Sequence, residues 1–348
     1  MYSESDLDTA VAAGALTPDA AAAFRNHIAA SRSAPAVDEE HFRLLTGFND
    51  IFVSIAVVLM LVAIAWIGGE ISEPLAGLGV AVASWGLAEY FTKVRRMALP
   101  SILLLLAFAG GVAAMLIGAM VSWNPDFTDR VDALIAAGIA LATALATWIH
   151  WRRFMVPITV AAGAVALAVS VGALIASAFD QPEQAIPWIS LAAGLAIFAF
   201  AMRWDMTDRA RTTRRSDVAF WLHLAAAPMI AHPIFHMLGV LDGPISAATA
   251  FIVIALYIGF GLVALAIDRR ALLVSSLAYV LFALSRLFEN AGAVELGTAF
   301  TALIIGSALL MLSAFWHPAR RLVVERLPTM WRDRLPLTSR LTPALASA

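Results

Sequence analysis

The chain has 348 residues, 61% of them apolar and 14% charged, with a net charge of −2 at pH 7. Soluble globular chains sit near about 45–50% apolar and about 25% charged, so composition excludes an ordinary soluble fold. The absence of cysteine excludes disulfides, thiolate metal sites, iron–sulfur clusters, c-type haem attachment, a cysteine nucleophile and lipid anchoring through cysteine.

Residues 1–45 are polar, with seven acids against three arginines, and lack the basic start and apolar stretch of a signal sequence. The first span is therefore expected to act as its own uncleaved membrane signal. Residues 3–13 read as a short helix stopped by Gly14. Thr17-Pro18-Asp19 opens a second helix: Thr caps, Pro suits the first helical position, and Asp favours the positive helix end. Residues 31–37 form a linker, and Asp38-Glu39-Glu40 opens a helix that runs toward the membrane. With so few large apolar residues, this segment cannot bury a core of its own and needs the membrane face, a protein partner or a second copy of the chain.

Apolar runs long enough to span ~30 Å of hydrocarbon as helices then recur. The pattern predicts ten spans at 51–68, 74–91, 101–123, 131–150, 155–179, 186–202, 218–238, 247–267, 271–288 and 296–316, the sixth being the shortest. The fold class is thus all-α: a polytopic transmembrane bundle of about ten spans in five hairpins. The predicted organisation is a cytoplasmic helical segment (1–45), a bundle (46–316) and a basic, partly interfacial tail (317–348).

Of the 23 basic residues, 22 are arginine and one is Lys93, which together with the abundant alanine points to a GC-rich bacterial genome. Twenty-one of the 23 fall on one side of the alternating spans, so the positive-inside rule puts both termini in the cytoplasm of a bacterial inner-membrane protein. Trp66, Trp85, Trp123, Trp148, Trp151, Trp188, Trp204, Trp221 and Trp316 lie near span ends, where indole rings anchor at the headgroup level. Arg-Arg pairs at 95–96, 152–153, 214–215, 269–270 and 320–321 recur at intervals of 57, 62, 55 and 51 residues, one helical hairpin per interval. Any hairpin array obeying the positive-inside rule would show such spacing; true duplication would place a symmetry axis along the membrane normal.

The pattern Leu16-Thr17-Pro18-Asp19-Ala20 in a polar helix pair, followed by helical hairpins, resembles bacterial multi-pass membrane proteins of the domain-of-unknown-function type. The resemblance covers layout alone and implies no activity, cofactor or site residue.

No phosphate loop and no Gly-x-Ser-x-Gly elbow occurs. Gly110-Gly111, Gly77 with Gly79, and Gly259 with Gly261 lie in apolar spans, where glycine marks close helix contact. Glu89 and Lys93 are four apart and read as a helix-surface pair.

Span seven is the unusual one, with His223, His232, His236, Pro228 and Pro233 in one helix. His232 and His236 share a face, whereas His223 lies about 180° away. The prolines remove backbone bonds and predict a kink. A His-Glu-x-x-His metalloprotease is excluded because Pro233 stands where the glutamate belongs. Bis-histidine haem ligation fails as well: two histidines on one face cannot flank a haem, and the only span-end partners, His150 and His317, lie at the cytoplasmic side. No cofactor is evident.

Span nine carries Arg286 and Glu289, ~22 and ~27 Å along its axis; His232 and His236 lie ~21 and ~27 Å along span seven, which runs the same way. His232, His236, Arg286 and Glu289 therefore form a candidate polar cluster, because intramembrane ionisable groups are costly and mark functional sites. The plain alternative is that Arg286 pairs with Glu289 while the histidines bond to neighbouring helices. The basic loop 203–217 and the tail read as contacts for anionic lipid headgroups rather than nucleic acid.

Three functions stay open: a non-enzymatic role in assembly, sensing or partner binding; a transporter or channel using the outer-half cluster; and an intramembrane metal-dependent enzyme. The first is favoured because the central parts of the spans lack charge. The last needs at least three convergent ligands.

Overall fold

The structure is a computed structural model that describes residues 4–31, 48–123, 127–179, 181–209, 211, 213–240, 246–290 and 297–337, with the side chains of 4–6, 26–31, 286–290 and 297–298 outside the description. It divides into two units, Met1–Arg43 and Leu44–Ala348. Among the described residues every regular element is helical.

The first unit holds α1 (Glu4–Ala12) and α2 (Pro18–Ser31). Gly14 ends the first helical stretch at φ +71°, a left-handed backbone that only glycine adopts without cost. Thr17 caps α2 as expected, its Oγ1 accepting the Ala20 amide at 3.1 Å. Arg25 donates to Asp8 at 2.9 Å, and Leu7 and Ala21 are buried. The expected helix start at 38–40 lies outside the described residues.

The second unit contains α3 (Phe48–Ile71), α4 (Glu73–Ala88), α5 (Ala98–Trp123), α6 (Asp129–Phe154), α7 (Ile158–Ala176), α8 (Pro182–Thr207), α9 (Arg214–Met237), α10 (Ala247–Ile267), α11 (Ala271–Asn290), α12 (Gly297–Ala314), α13 (Trp316–Glu325) and α14 (Thr329–Arg332). Each predicted span falls on one helix, α3 to α12 in order. Seven of them, α3 and α5 to α10, are long and apolar enough to cross a membrane; α12 and α13 form a pair bent by 75°. α4 continues as a π-helical stretch, Glu89–Val94.

One expectation is corrected. The sixth span is not the shortest, because α8 runs 26 residues by extending its apolar core through Trp204 and Asp205. α9 continues through both Pro228 and Pro233 as one helix. Glu89 and Lys93 form the expected surface pair at 3.8 Å, and Glu89 is also held by Arg153 of α6, which grips both carboxylate oxygens at 2.7 Å. The π stretch begins at Glu89 itself and includes Lys93.

The closest packing joins helices across three of the four arginine-bearing turns, α4 with α5, α8 with α9 and α6 with α7; α10 and α11, across the fourth, pack no more closely than α3 and α4. Each of these four turns holds one non-glycine residue in the left-handed region: Arg96 (φ 54°), Met155 (φ 55°), Arg211 (φ 54°) and Asp268 (φ 58°). Such a residue costs about 1–2 kcal/mol, and it reverses the chain in a few residues. Without a hydrophobic force between helices in lipid, close packing depends on small residues. A Cβ on Gly77 would sit 2.1 Å from the Met115 amide nitrogen, and one on Gly111 2.7 Å from that of Ala81, so α4 and α5 touch backbone to backbone. Gly79 meets Ile64, whereas Gly110 and Gly259 face open space.

The hub is α9. More than half of its apolar window is buried (56%), against a third or less in the other six spanning helices. It packs on α7, α8 and α11. One apolar cluster gathers Phe235, Val253 and Val280 from α9, α10 and α11; another gathers Ala161, Ile197 and Leu222 from α7, α8 and α9.

The α4–α5 contact makes a sharp prediction. Gly111→Val should destabilise the detergent-solubilised protein by about 1–3 kcal/mol through overpacking. Gly110→Ala, one residue away in open space, should be neutral or stabilise by up to about 1 kcal/mol. Melting curves of the two variants should separate in that order; equal melting would rule out the tight crossing.

Candidate functional site

A group of deeply buried ionisable side chains gathers where the basic ends of α8 to α11 meet α13. The chain places Asp205 in the last turn of α8, His223 two turns into α9, and Asp268-Arg269-Arg270 in the turn between α10 and α11. The side chains of Asp205, His223 and Arg269 are 0, 2 and 4% exposed. A carboxylate this deep is tolerable only when its oxygens are matched by donors. Asp205 Oδ1 accepts from Arg269 Nη2 at 2.7 Å, and Oδ2 accepts from His223 Nε2 at 2.9 Å. Facing an ionised carboxylate, His223 must carry its proton on Nε2. Arg269 also donates to the Ser216 carbonyl at 3.0 Å, tying the start of α9 to the same group, and lies over the Phe220 ring.

Asp268 is the second centre. Its left-handed backbone turns the carboxylate back among the helix ends, where Oδ2 accepts from Arg211 Nη1 at 2.8 Å and Oδ1 from the Trp316 indole at 2.7 Å. Arg320 Nε lies 3.5 Å from the same Oδ1. Burial first, and then Arg269, lower the pKa of Arg211 from the usual arginine value; Asp268 and Asp205 oppose the shift. Asp208 accepts from both the amide and the hydroxyl of Thr213, which in turn caps α9 by accepting from the Arg215 amide.

The network reaches the C-terminal segment through backbone carbonyls. Arg320 donates to Pro336 and Leu337 at 2.8 and 3.1 Å, and Arg209 to Leu335 and Arg332 at 2.9 and 3.2 Å. Leu335 and Val324 are buried beside Ile267. Residues 316–337 are therefore fastened to protein along one face, and only the other face, with Leu322, Met330 and Trp331 exposed, is free for lipid. Two tryptophans expected as interfacial anchors are packed inward: Trp316 is 4% exposed, beneath the Arg270 guanidinium, and Trp85 lies among Phe108, His150 and Phe154.

This clamp was not legible from arginine counting, because the positive-inside rule ignores acids. The available signal was acidic residues, Asp205 and Asp268, placed on the arginine-rich side at the ends of apolar spans. Chemically, each carboxylate oxygen of Asp205 and Asp268 already accepts from an N–H of the chain, so the arrangement fastens rather than reacts.

The sequence-derived cluster lies on the other half of α9. His232 and His236 are exposed, with ring centroids 6.1 Å apart. His232 Nδ1 is hydrogen-bonded to the Tyr279 hydroxyl of α11 at 2.5 Å, so spans seven and nine are neighbours, and Tyr279 stacks on Phe235 at 4.5 Å. The side chains of Arg286 and Glu289 lie outside the described residues. His223, as expected, occupies a separate environment, the one it shares with Asp205. Among the described residues no three His, Asp or Glu side chains are grouped to hold a metal ion.

Asp268→Asn retains a residue that tolerates the left-handed turn but leaves Arg211 and Arg320 without their carboxylate. Stability should fall by about 3–5 kcal/mol, and limited proteolysis should cut 316–337 faster than in the wild type. Asp205→Asn combined with Arg269→Met should cost less than the sum of the single changes; additivity in melting experiments would count against direct coupling. Comparison of the chain with family models, with curated proteins and with solved structures found no match.

Proposed function

We propose that the chain is a multi-pass protein of the bacterial inner membrane, with ten spans and both termini in the cytoplasm. Its role is non-enzymatic: a rigid helical scaffold that presents its terminal segments to a protein partner or to a second copy of itself. The observation that carries this reading is the clamp, whose buried charges are spent on one another and on the C-terminal segment. Support for ten spans comes from α11, whose 20 residues run ~30 Å, and from α4 with its π extension. Support for partnering comes from the N-terminal unit. Among its described side chains, Leu7 and Ala21 are buried while Leu16 and Phe24 stay 38 and 42% exposed. A second reading, transport through the outer half, draws on the His232–Tyr279 contact that joins spans seven and nine.

Removal of residues 1–37 should leave membrane insertion intact and abolish chemical crosslinking to the partner or second copy. Loss of insertion, or unchanged crosslinking, would defeat the assignment. A reporter active only in the cytoplasm should work at either terminus, and activity of an export-dependent reporter there would overturn the orientation. If transport is the role, His232→Ala, which removes the contact to Tyr279, should lower flux in reconstituted vesicles, and unchanged flux would count against this reading.

A further inference from the structure

Between α6, α7 and α8 the second unit holds a groove of about 1050 Å³ with an apolar lining. Small side chains open it: Gly163, Ala164 and Ala168 on α7 face Ala193 and Ala196 on α8. It reaches from Thr159 to Ile175 along α7 and from Trp188 to Trp204 along α8, ~24 Å on each helix. That length lies within the ~30 Å of a hydrocarbon core. The two hydroxyls in the lining are already engaged: Thr147 donates to the Ala144 carbonyl at 2.7 Å, and Thr159 lies 3.5 Å from the Nδ1 of buried His150. The interior therefore offers an occupant contact but no hydrogen bond, which fits an alkyl chain.

Arginines stand at one end of the groove, whereas Trp188 lines the other. Trp148, Trp151 and Trp204 line the arginine-bearing mouth. The guanidinium of Arg152 lies 5.4 Å over the Trp148 ring, and Arg152 makes no ion pair among the described residues, unlike Arg153, which is held by Glu89. On α8, exposed Arg203 lies two turns beyond Ala196 and one beyond Phe200, both lining residues, so it shares their face. An apolar slot of membrane length with arginines and indoles at one mouth is complementary to a lipid with a negative headgroup.

We propose that this groove binds an anionic phospholipid of the surrounding bilayer, with an acyl chain between α7 and α8 and its phosphate against Arg152 and Arg203. The proposal rests on the membrane-embedded reading above. The two fail separately: a chain that stays in solution without detergent defeats that reading, whereas unselective lipid retention by an inserted chain defeats only this site.

The test uses the full chain in mild detergent. It is incubated with equal amounts of phosphatidylglycerol and phosphatidylcholine carrying identical acyl chains, partly delipidated, and weighed by native mass spectrometry. The wild type should retain phosphatidylglycerol preferentially. R152Q and R203Q should each lower that preference about five-fold, and A168L with A196L should abolish retention of both lipids, with melting temperatures near wild type in every case. Other groove-filling pairs, such as A164L with A193L, stand in for any variant that melts early. Equal retention of the two lipids by the wild type would overturn the proposal. So would undiminished retention in a stable groove-filled variant, or full displacement by glycerophosphoglycerol, which has the headgroup but no chains.

Discussion

Two carboxylates, Asp205 and Asp268, are buried among helix ends, and the basic half of the second unit is arranged around the need to neutralise them. A lone ionised carboxylate at such depth would cost several kcal/mol even after relaxation. Two arginines, a histidine and an indole from different parts of the chain supply the answering N–H groups, and the charge of a third arginine, Arg320, lies 3.5 Å from Asp268. Those donors stand on the loop before α9, on α9 itself, on the turn before α11 and on α13. Neutralising two oxygen pairs therefore fixes the relative positions of four elements. A hydrophobic contact has no such directional demand, since area can be buried in many registers. The groups make poor general bases or metal ligands for the same reason that they make a good fastening.

Away from that end, the helices are held by a repeated local device. Each arginine-bearing turn makes a tight reversal with one left-handed residue, and three of the four join the most closely packed helix pairs. The four left-handed residues differ: arginine twice, methionine and aspartate. The repeat thus exists in backbone geometry without a matching side chain. Charge repeats less faithfully still, because Arg269 and Arg320 of the Arg-Arg pairs are buried in the clamp while Arg152 stays exposed. Equal spacing in the sequence hides unequal environments.

The placement of the helices was legible because the length of an apolar run is a direct physical quantity. The span expected at 247–267 coincides with α10, and the Gly14 stop and the Thr17 cap were read from local chemistry alone. The 180° offset of His223 from His232 likewise needed only helical periodicity. What stayed hidden depends on contacts between residues distant in the chain. Arg269 reads as one more loop arginine until Asp205, 64 positions earlier, is seen against it. Trp316 reads as an anchor until Asp268 appears beneath its indole. Pro228 and Pro233 both lie inside α9, a continuous helix packed on α7, α8 and α11.

The clamp also bears on the order in which the molecule can be assembled. Chains emerge from the ribosome N-terminal end first, so Asp205 and His223 enter the membrane well before Arg269 has been made, and Asp268 before Trp316 and Arg320. During that interval Asp205 has only a histidine beside it, and its burial is not yet offset. The helix ends that will enclose it must stay accessible to water or headgroups until the turn after α10 arrives, and the final closure waits for α13. Maturation of this end is therefore a late event in biosynthesis, set by the spacing of complementary charges along the chain.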